Sequence, residues 1–182
     1  MNSLARLIEA ALYAAERPVT PEELASLASD APRAGVDAAL AELRDFYARE
    51  DHGIELKQIA GGWQFLTRPE YAEAIERAQF ALRPRRLSPA ALETLAIVAY
   101  RQPVSRADVE EIRGVDCGAV LLKLEERGLI ETVARGEGIG RPLLYGSTAK
   151  FLELLGLNDL GELPRLDELS VALRPPTPAE PE

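Results

Sequence analysis

The chain has 182 residues, 47% of them hydrophobic and 28% charged, enough to bury one core of ordinary size or two small ones. Its net charge of −9 weakens any reading that needs a polyanion, because affinity for nucleic acid is drawn largely from neutralised phosphates. Cys117 is the single cysteine, which excludes an intramolecular disulfide and a thiolate metal cluster within one chain and fits a reducing cytoplasm.

Charge is unevenly spread. Residues 1–80 carry −6, residues 81–88 carry +3 from three arginines, and residues 89–160 and 161–182 carry −3 each. The opening MNSLARLIEAALYAAERP holds Arg6, Glu9 and Glu16 and lacks both a secretory apolar run and a bilayer-length stretch. A cytosolic protein with no membrane partner is expected.

In chain order, apolar residues at Leu4, Leu7, Ile8, Ala11 and Leu12 predict an amphipathic first helix, which Pro18 closes. Thr20-Pro21-Glu22-Glu23 is a capping signal: a hydroxyl to accept from free backbone N–H groups, and an acid three residues on. A second helix is therefore predicted from about Pro21. A third spans roughly 35–50, with Val36, Leu40, Leu43 and Phe46 or Tyr47 inward. The period then changes to alternation, and GIELKQIAGGWQFLT (53–67) predicts a hairpin turning at Gly61-Gly62.

The same order then recurs. LIEAALYAAERPVTPEELASL (7–27) lies over LETLAIVAYRQPVSRADVEEI (92–112) at a shift of 85, placing Leu7 on Leu92, Pro18 on Pro103, Thr20 on Ser105 and Glu23 on Asp108. The second copy predicts a helix with Leu92, Leu95, Ala96, Ala99 and Tyr100 inward, then a capped helix from Arg106. Its third helix, roughly 116–127, turns Val120, Leu121 and Leu124 inward and stops at Gly128. Residues 129–147 predict two strands around a glycine-rich loop. Finally FLTRPEYAEAI (65–75) lies over YGSTAKFLELL (145–155) at a shift of 80, bringing Phe65 to Tyr145 and Tyr71 to Phe151.

Three helices followed by a β-hairpin wing is the winged-helix plan, here in tandem. The fold class expected is mainly α with small β-hairpins (α+β), built from two winged-helix domains. Residues 1–81 form the first domain, 82–88 a linker, 89–163 the second domain, and 164–182 a flexible tail.

Nothing in the sequence assembles a catalytic centre. His52, the one histidine, lies in EDHG between a helix and a strand, and Cys117 has no identifiable partner base. The glycines of RGEGIGRP (135–142) join two strands, whereas phosphate loops lead from a strand into a helix. No catalytic residue, metal site or cofactor is expected. DNA is the serious rival partner, since winged helices commonly read the major groove with their third helix. Both third helices here carry more acid than base, four acids to two bases over 35–50 and three to two over 116–128, and no asparagine or glutamine. Arg83, Arg85 and Arg86 form the one basic cluster and the place for a weak, non-specific DNA contact.

LSPAALETLAIVAYRQPVSRADVEEIRGVD (87–116), LEERGLI (124–130) and GRPLLYGSTAKFLELLGLNDLGELPRL (140–166) together resemble the segregation and condensation protein B family. The first half agrees with it in layout and length more than in letters. The resemblance implies a non-enzymatic, dimeric, tandem winged-helix adaptor. It would bind the kleisin subunit of the bacterial SMC complex (segregation and condensation protein A) and, through it, the SMC ATPase, so that the cytoplasmic protein is nucleoid-associated. The amino-terminal domain is mainly associated with self-association in that family.

Apolar residues beyond what a small domain needs are the candidate anchors. For kleisin contact these are Leu143, Leu144, Tyr145, Phe151 and Leu155; for self-association they are Leu4, Leu7, Trp63 and Phe65. The plainer alternative is that they pack each wing onto its own helices. The alternative function is a winged-helix DNA-binding transcription regulator.

Overall fold

The computed structural model describes residues 2–28, 31–49, 51–78, 87–137 and 140–165. Several of its helices begin at side-chain caps. In α1 (Ser3–Ala14) the Ala5 N–H donates to Asn2 Oδ1 at 2.7 Å. α2 (Pro21–Leu27) opens with a full capping box. The Glu23 N–H donates to Thr20 Oγ1 at 3.3 Å, and the Thr20 N–H donates to Glu23 Oε2 at 2.9 Å. α3 (Arg33–Tyr47) follows Pro32, and then the chain becomes extended.

β1 (Ile54–Ile59) and β2 (Gly62–Thr67) pair antiparallel, with Ile59 opposite Gly62. The turn is therefore Ala60-Gly61, one residue earlier than the glycine pair suggests, and both residues have positive φ, 50° and 78°. Gly62 serves a different need. A Cβ there would lie 2.9 Å from the carbonyl carbon and Cβ of Pro18, so only glycine lets β2 approach that segment. Pro69–Tyr71 forms a 3₁₀ turn leading into α4 (Ala72–Arg77).

The second half repeats the pattern. α5 (Pro89–Arg101) is capped by Ser88, and α6 (Arg106–Arg113) starts from a capping box made by Ser105 and Asp108. α7 (Gly118–Glu126) ends with Gly128 in the left-handed region at φ 69°. Between α5 and α6, β3 (Val104–Ser105) joins a three-stranded sheet of order β3-β5-β4, with β4 (Ile130–Arg135) and β5 (Leu143–Ser147) antiparallel. α8 (Ala149–Leu155) and a 3₁₀ turn at Leu160–Glu162 follow. The fold is α+β: helices with small antiparallel sheets.

The short strand β3 was not expected. Its first-half counterpart is the antiparallel bridge between Val19 and Trp63, which exchange N–H···O bonds of 3.0 and 2.8 Å. Val19 and Val104 are matched positions, so the segment after each proline is a third strand reduced to one or two residues.

Two hydrophobic clusters result. The first joins Ala5, Ile8, Leu12, Leu24, Val36, Ala39, Leu40, Leu43 and Leu56; the second joins Leu95, Val98, Ala99, Val104, Val109, Cys117, Leu121, Leu124, Leu129, Ile130 and Phe151. The buried stripe of α5 is Thr94, Leu95, Val98 and Ala99, while Leu92 and Ala96 face outward, contrary to the expected inward set. Leu87 packs against the second cluster and Ser88 caps α5, so both belong with that half although the expected linker included them. Residues 82–86 of the expected linker and 166–182 of the expected tail lie outside the described residues.

Candidate partner-binding surfaces

The two halves differ at one matched position. In the second half Phe151, on α8, is 3% exposed and belongs to the core. In the first half Tyr71 occupies the corresponding place and remains 44% exposed. α4 buries none of its residues. Tyr71, Ala74, Ile75 and Ala78 fall at helical spacing and form, with Gly53 and Ile54 at the start of β1, an almost wholly apolar open groove.

The residues nominated for self-association lie elsewhere. Leu7 is 44% exposed on α1, and Leu4, Trp63 and Phe65 are half-buried against the first cluster. Phe65 also meets the Tyr47 ring edge-on at 4.8 Å between centroids. In the second half Leu143 and Leu155 are exposed, as is Leu154 beside it. Leu144 is half-buried, and Tyr145 packs against the core. Phe151 holds α8 in place rather than lining a surface. Arg83, Arg85 and Arg86 lie outside the described residues.

Several of the described basic side chains are engaged with acids. Arg33 bonds both Glu22 and Asp37, and Arg44 pairs with the adjacent Asp45 at 3.0 Å. Arg106 bonds Glu110 at 2.6 Å and Asp116 at 2.5 Å, which lifts its already high pKa; the Cys117 N–H first and Arg106 second lower that of Glu110. Glu110 also accepts the Cys117 N–H at 2.9 Å. A Cβ on Gly118 would strike the Arg106 guanidinium at 2.6 Å, so the small residue opening α7 makes room for this network. Arg113 is nearly buried and donates to Glu93 and Thr94, both at 2.9 Å.

Neither candidate nucleophile nor base has a catalytic setting. Cys117 is 0% exposed and its thiol donates to the Val115 carbonyl at 3.3 Å. The His52 ring packs against Phe46 and Tyr47. Tyr47 in turn bonds Glu9; burial first, and that carboxylate second, push its hydroxyl up to about 12. The glycine-rich 135–142 segment does join two strands, and the Gly136 N–H closes it by donating to the Pro142 carbonyl at 2.8 Å. Among the described residues no helix is long and apolar enough to cross a membrane.

The family model of the segregation and condensation complex subunit ScpB matches residues 6–166. Segregation and condensation protein B of Moorella thermoacetica is 47% identical over 173 residues, covering 94% of this chain and 87% of that protein. The chain belongs to the ScpB family. Among solved structures, ScpB from Mycobacterium tuberculosis is 40% identical, covering 85% of this chain and 96% of that one, with a TM-score of 0.40. A dimer of an ScpB N-terminal domain complexed with ScpA peptide is 23% identical, covering 41% of this chain and 91% of that one, with a TM-score of 0.38. The family assignment stands on the sequence matches.

For an ScpB-family chain, the α4 groove is the surface that sequence reasoning missed. Its signal was present in PEYAEAIERA, where Tyr71, Ala74, Ile75 and Ala78 recur at i, i+3, i+4 and i+7. Periodicity marks an apolar face but not whether the rest of the chain covers it.

Proposed function

We propose that this chain is a non-enzymatic adaptor that binds the kleisin subunit of the bacterial SMC complex. It acts as a homodimer in the cytoplasm, at the nucleoid, and serves chromosome condensation and segregation. Each half is a winged-helix domain, the first within residues 1–81 and the second from Leu87 to about residue 163, with the hairpins β1–β2 and β4–β5 as wings. The SMC ATPase is reached through the kleisin.

The observation that carries this reading is the pair of unmatched apolar surfaces on a chain whose family is a complex subunit. In the second half Leu143, Leu144, Tyr145 and Leu155, with Leu154, form the kleisin-contact candidate. Phe151 acts there only by seating α8. In the first half the α4 groove around Tyr71 and Ile75 is the better candidate for self-association, because Leu4, Trp63 and Phe65 already pack inward. The acid-paired arginines of α3 and α6 favour a protein partner over DNA. Arg83, Arg85 and Arg86 remain the candidates for a weak DNA contact.

The test is fluorescence anisotropy with a labelled peptide from the central region of the cognate kleisin, alongside sedimentation of the full chain. The double change Leu143→Asp with Leu155→Asp should weaken peptide binding at least tenfold with no loss of folding, because both side chains are exposed. Ile75→Asp should shift the dimer to monomer. Wild-type protein that binds no segment of the kleisin overturns the adaptor reading. Full binding by the double variant overturns only the surface.

A further inference from the structure

The two halves meet at a contact built from complementary backbone ends. On the first-half side, the positive φ of both Ala60 and Gly61 makes a two-residue mirror-image turn. Such a turn directs its two central N–H groups away from the β1–β2 ladder, leaving adjacent donors that need acceptors. On the second-half side, α8 ends at Gly156 in the left-handed region, φ 67°, with the Leu157 N–H donating back to the Leu152 carbonyl at 3.0 Å. This cap reverses the chain. The Asn158 N–H is then fixed by Glu162 Oε2 at 2.8 Å, and Asp159 Oδ1 accepts the Gly161 N–H at 2.7 Å. The Leu157 carbonyl and the Asn158 side-chain carbonyl are thereby presented together.

Donors and acceptors match one to one. The Ala60 N–H donates to the Leu157 carbonyl at 3.0 Å, and the Gly61 N–H donates to Asn158 Oδ1, also at 3.0 Å, across 97 residues of chain. We propose that the Ala60-Gly61 turn and the Leu157-Asn158 loop form an intramolecular latch that holds the two halves in one orientation and opens reversibly. Arg17 and Glu153 add a weaker attraction across the same seam, visible in the contribution of Glu153 to the raised Arg17 pKa, behind the larger one of Glu23. The latch stands apart from the kleisin reading, since it involves neither the α4 groove nor the β5 and α8 leucines.

The contact is polar and largely solvent-exposed, with no apolar cluster spanning both halves among the described residues, and this makes it a latch rather than a fused interface. One such hydrogen bond shifts a closed-to-open ratio by about fivefold. Removal of the Asn158 side chain therefore leaves both states populated, whereas a fused core would tolerate its loss unnoticed.

Two readouts on the full chain test the latch. The first is hydrogen exchange of the Gly61 amide by NMR. The second is the distance distribution between spin labels on Gln58→Cys and Glu131→Cys, exposed positions in the two halves; buried Cys117 is left unlabelled. Wild type should show a protected Gly61 amide and one narrow distance. Asn158→Ala should speed Gly61 exchange about fivefold and broaden the distances, with circular dichroism unchanged. Asn158→Asp keeps the Oδ acceptor and should restore both. A broad distribution in wild type overturns the proposal. So does a narrow one that Asn158→Ala leaves untouched, because other contacts would then hold the halves.

Discussion

The matched positions Tyr71 and Phe151 predict opposite consequences for the same truncation. Phe151 is 3% exposed, and a buried aromatic ring removes about 150–200 Å² from water. At about 25 cal/mol per Å² this is worth about 4 kcal/mol, within the range of about 3–5 kcal/mol for Phe→Ala in a core. Tyr71 keeps 44% of its surface exposed and lies along an open groove, so Tyr71→Ala should cost the isolated chain about 1 kcal/mol. The protein reports the difference itself, because Trp63 is its sole tryptophan and packs on the first cluster. Urea unfolding followed by Trp63 fluorescence tracks the first half, while far-ultraviolet circular dichroism tracks both. With a denaturant slope of about 2 kcal/mol per M, Phe151→Ala should lower the second half's midpoint by about 2 M and leave the Trp63 midpoint in place. Tyr71→Ala should barely move either midpoint but weaken self-association. A Phe151→Ala shift under about 0.5 M refutes the placement of that ring. An equal fall of the Trp63 midpoint refutes the independence of the two clusters.

Other substitutions probe single contacts. One Arg68 nitrogen, Nη2, donates to carbonyls at and just past the end of α3, those of Tyr47, Ala48 and Arg49, at 3.0, 3.1 and 2.6 Å. Arg68→Ala strips a cation from a helix C-terminus and should cost about 1–3 kcal/mol in the Trp63 transition; a loss below about 0.3 kcal/mol contradicts this. Glu23 is held down to about 2 by the Arg17 guanidinium first and the Thr20 N–H second. Because its folded value is depressed, its contribution is complete above the ordinary value of 4.5 and fades as pH falls toward 2. The gap in melting temperature between wild type and Glu23→Gln should accordingly be constant from neutral pH to about pH 5 and close below it; a gap that widens in acid reverses the sign. Gly62→Ala should destabilise by about 1–3 kcal/mol through its collision with Pro18. Gly61→Ala meets nothing within 4 Å and should cost only the left-handed backbone, about 1 kcal/mol; thermal melts of the pair separate the two causes. Cys117, at 0% exposure, should react with a thiol reagent only on unfolding, and prompt labelling of the native chain would disprove its burial.

Features encoded within a few residues were readable in advance. Thr20 with Glu23 and Ser105 with Asp108 announce their helices because the donor, the acceptor and the spacing all lie in four letters. Gly128 as a helix stop is equally local. The hairpin turn was placed one residue late because two adjacent glycines look alike in sequence. Gly61 is there for its φ, and Gly62 for the nearness of Pro18, which lies 44 residues away. β3 was missed for a related reason: a two-residue strand has no period, and only its partner β5 defines it.

Exposure was the least readable property. Leu92 and Ala96 fit a helical stripe as well as Leu95 and Ala99 do, and the true face is decided by where α6 and α7 pack. The repeat shows why composition does not resolve this. Tyr71 and Phe151 are both aromatic, both open a short helix after a hairpin, and align without a gap, yet one is surface and the other core. Leu152 and Leu163 pack against the cluster that holds Phe151; among the described residues α4 contributes nothing to the first cluster. A single chain gains nothing from an apolar face left in water, and here the two copies differ in burial as well as in letters. The second copy seats Phe151 of its last helix in the core, and the first leaves the matched Tyr71 along an open groove, proposed here to receive a second copy of the chain.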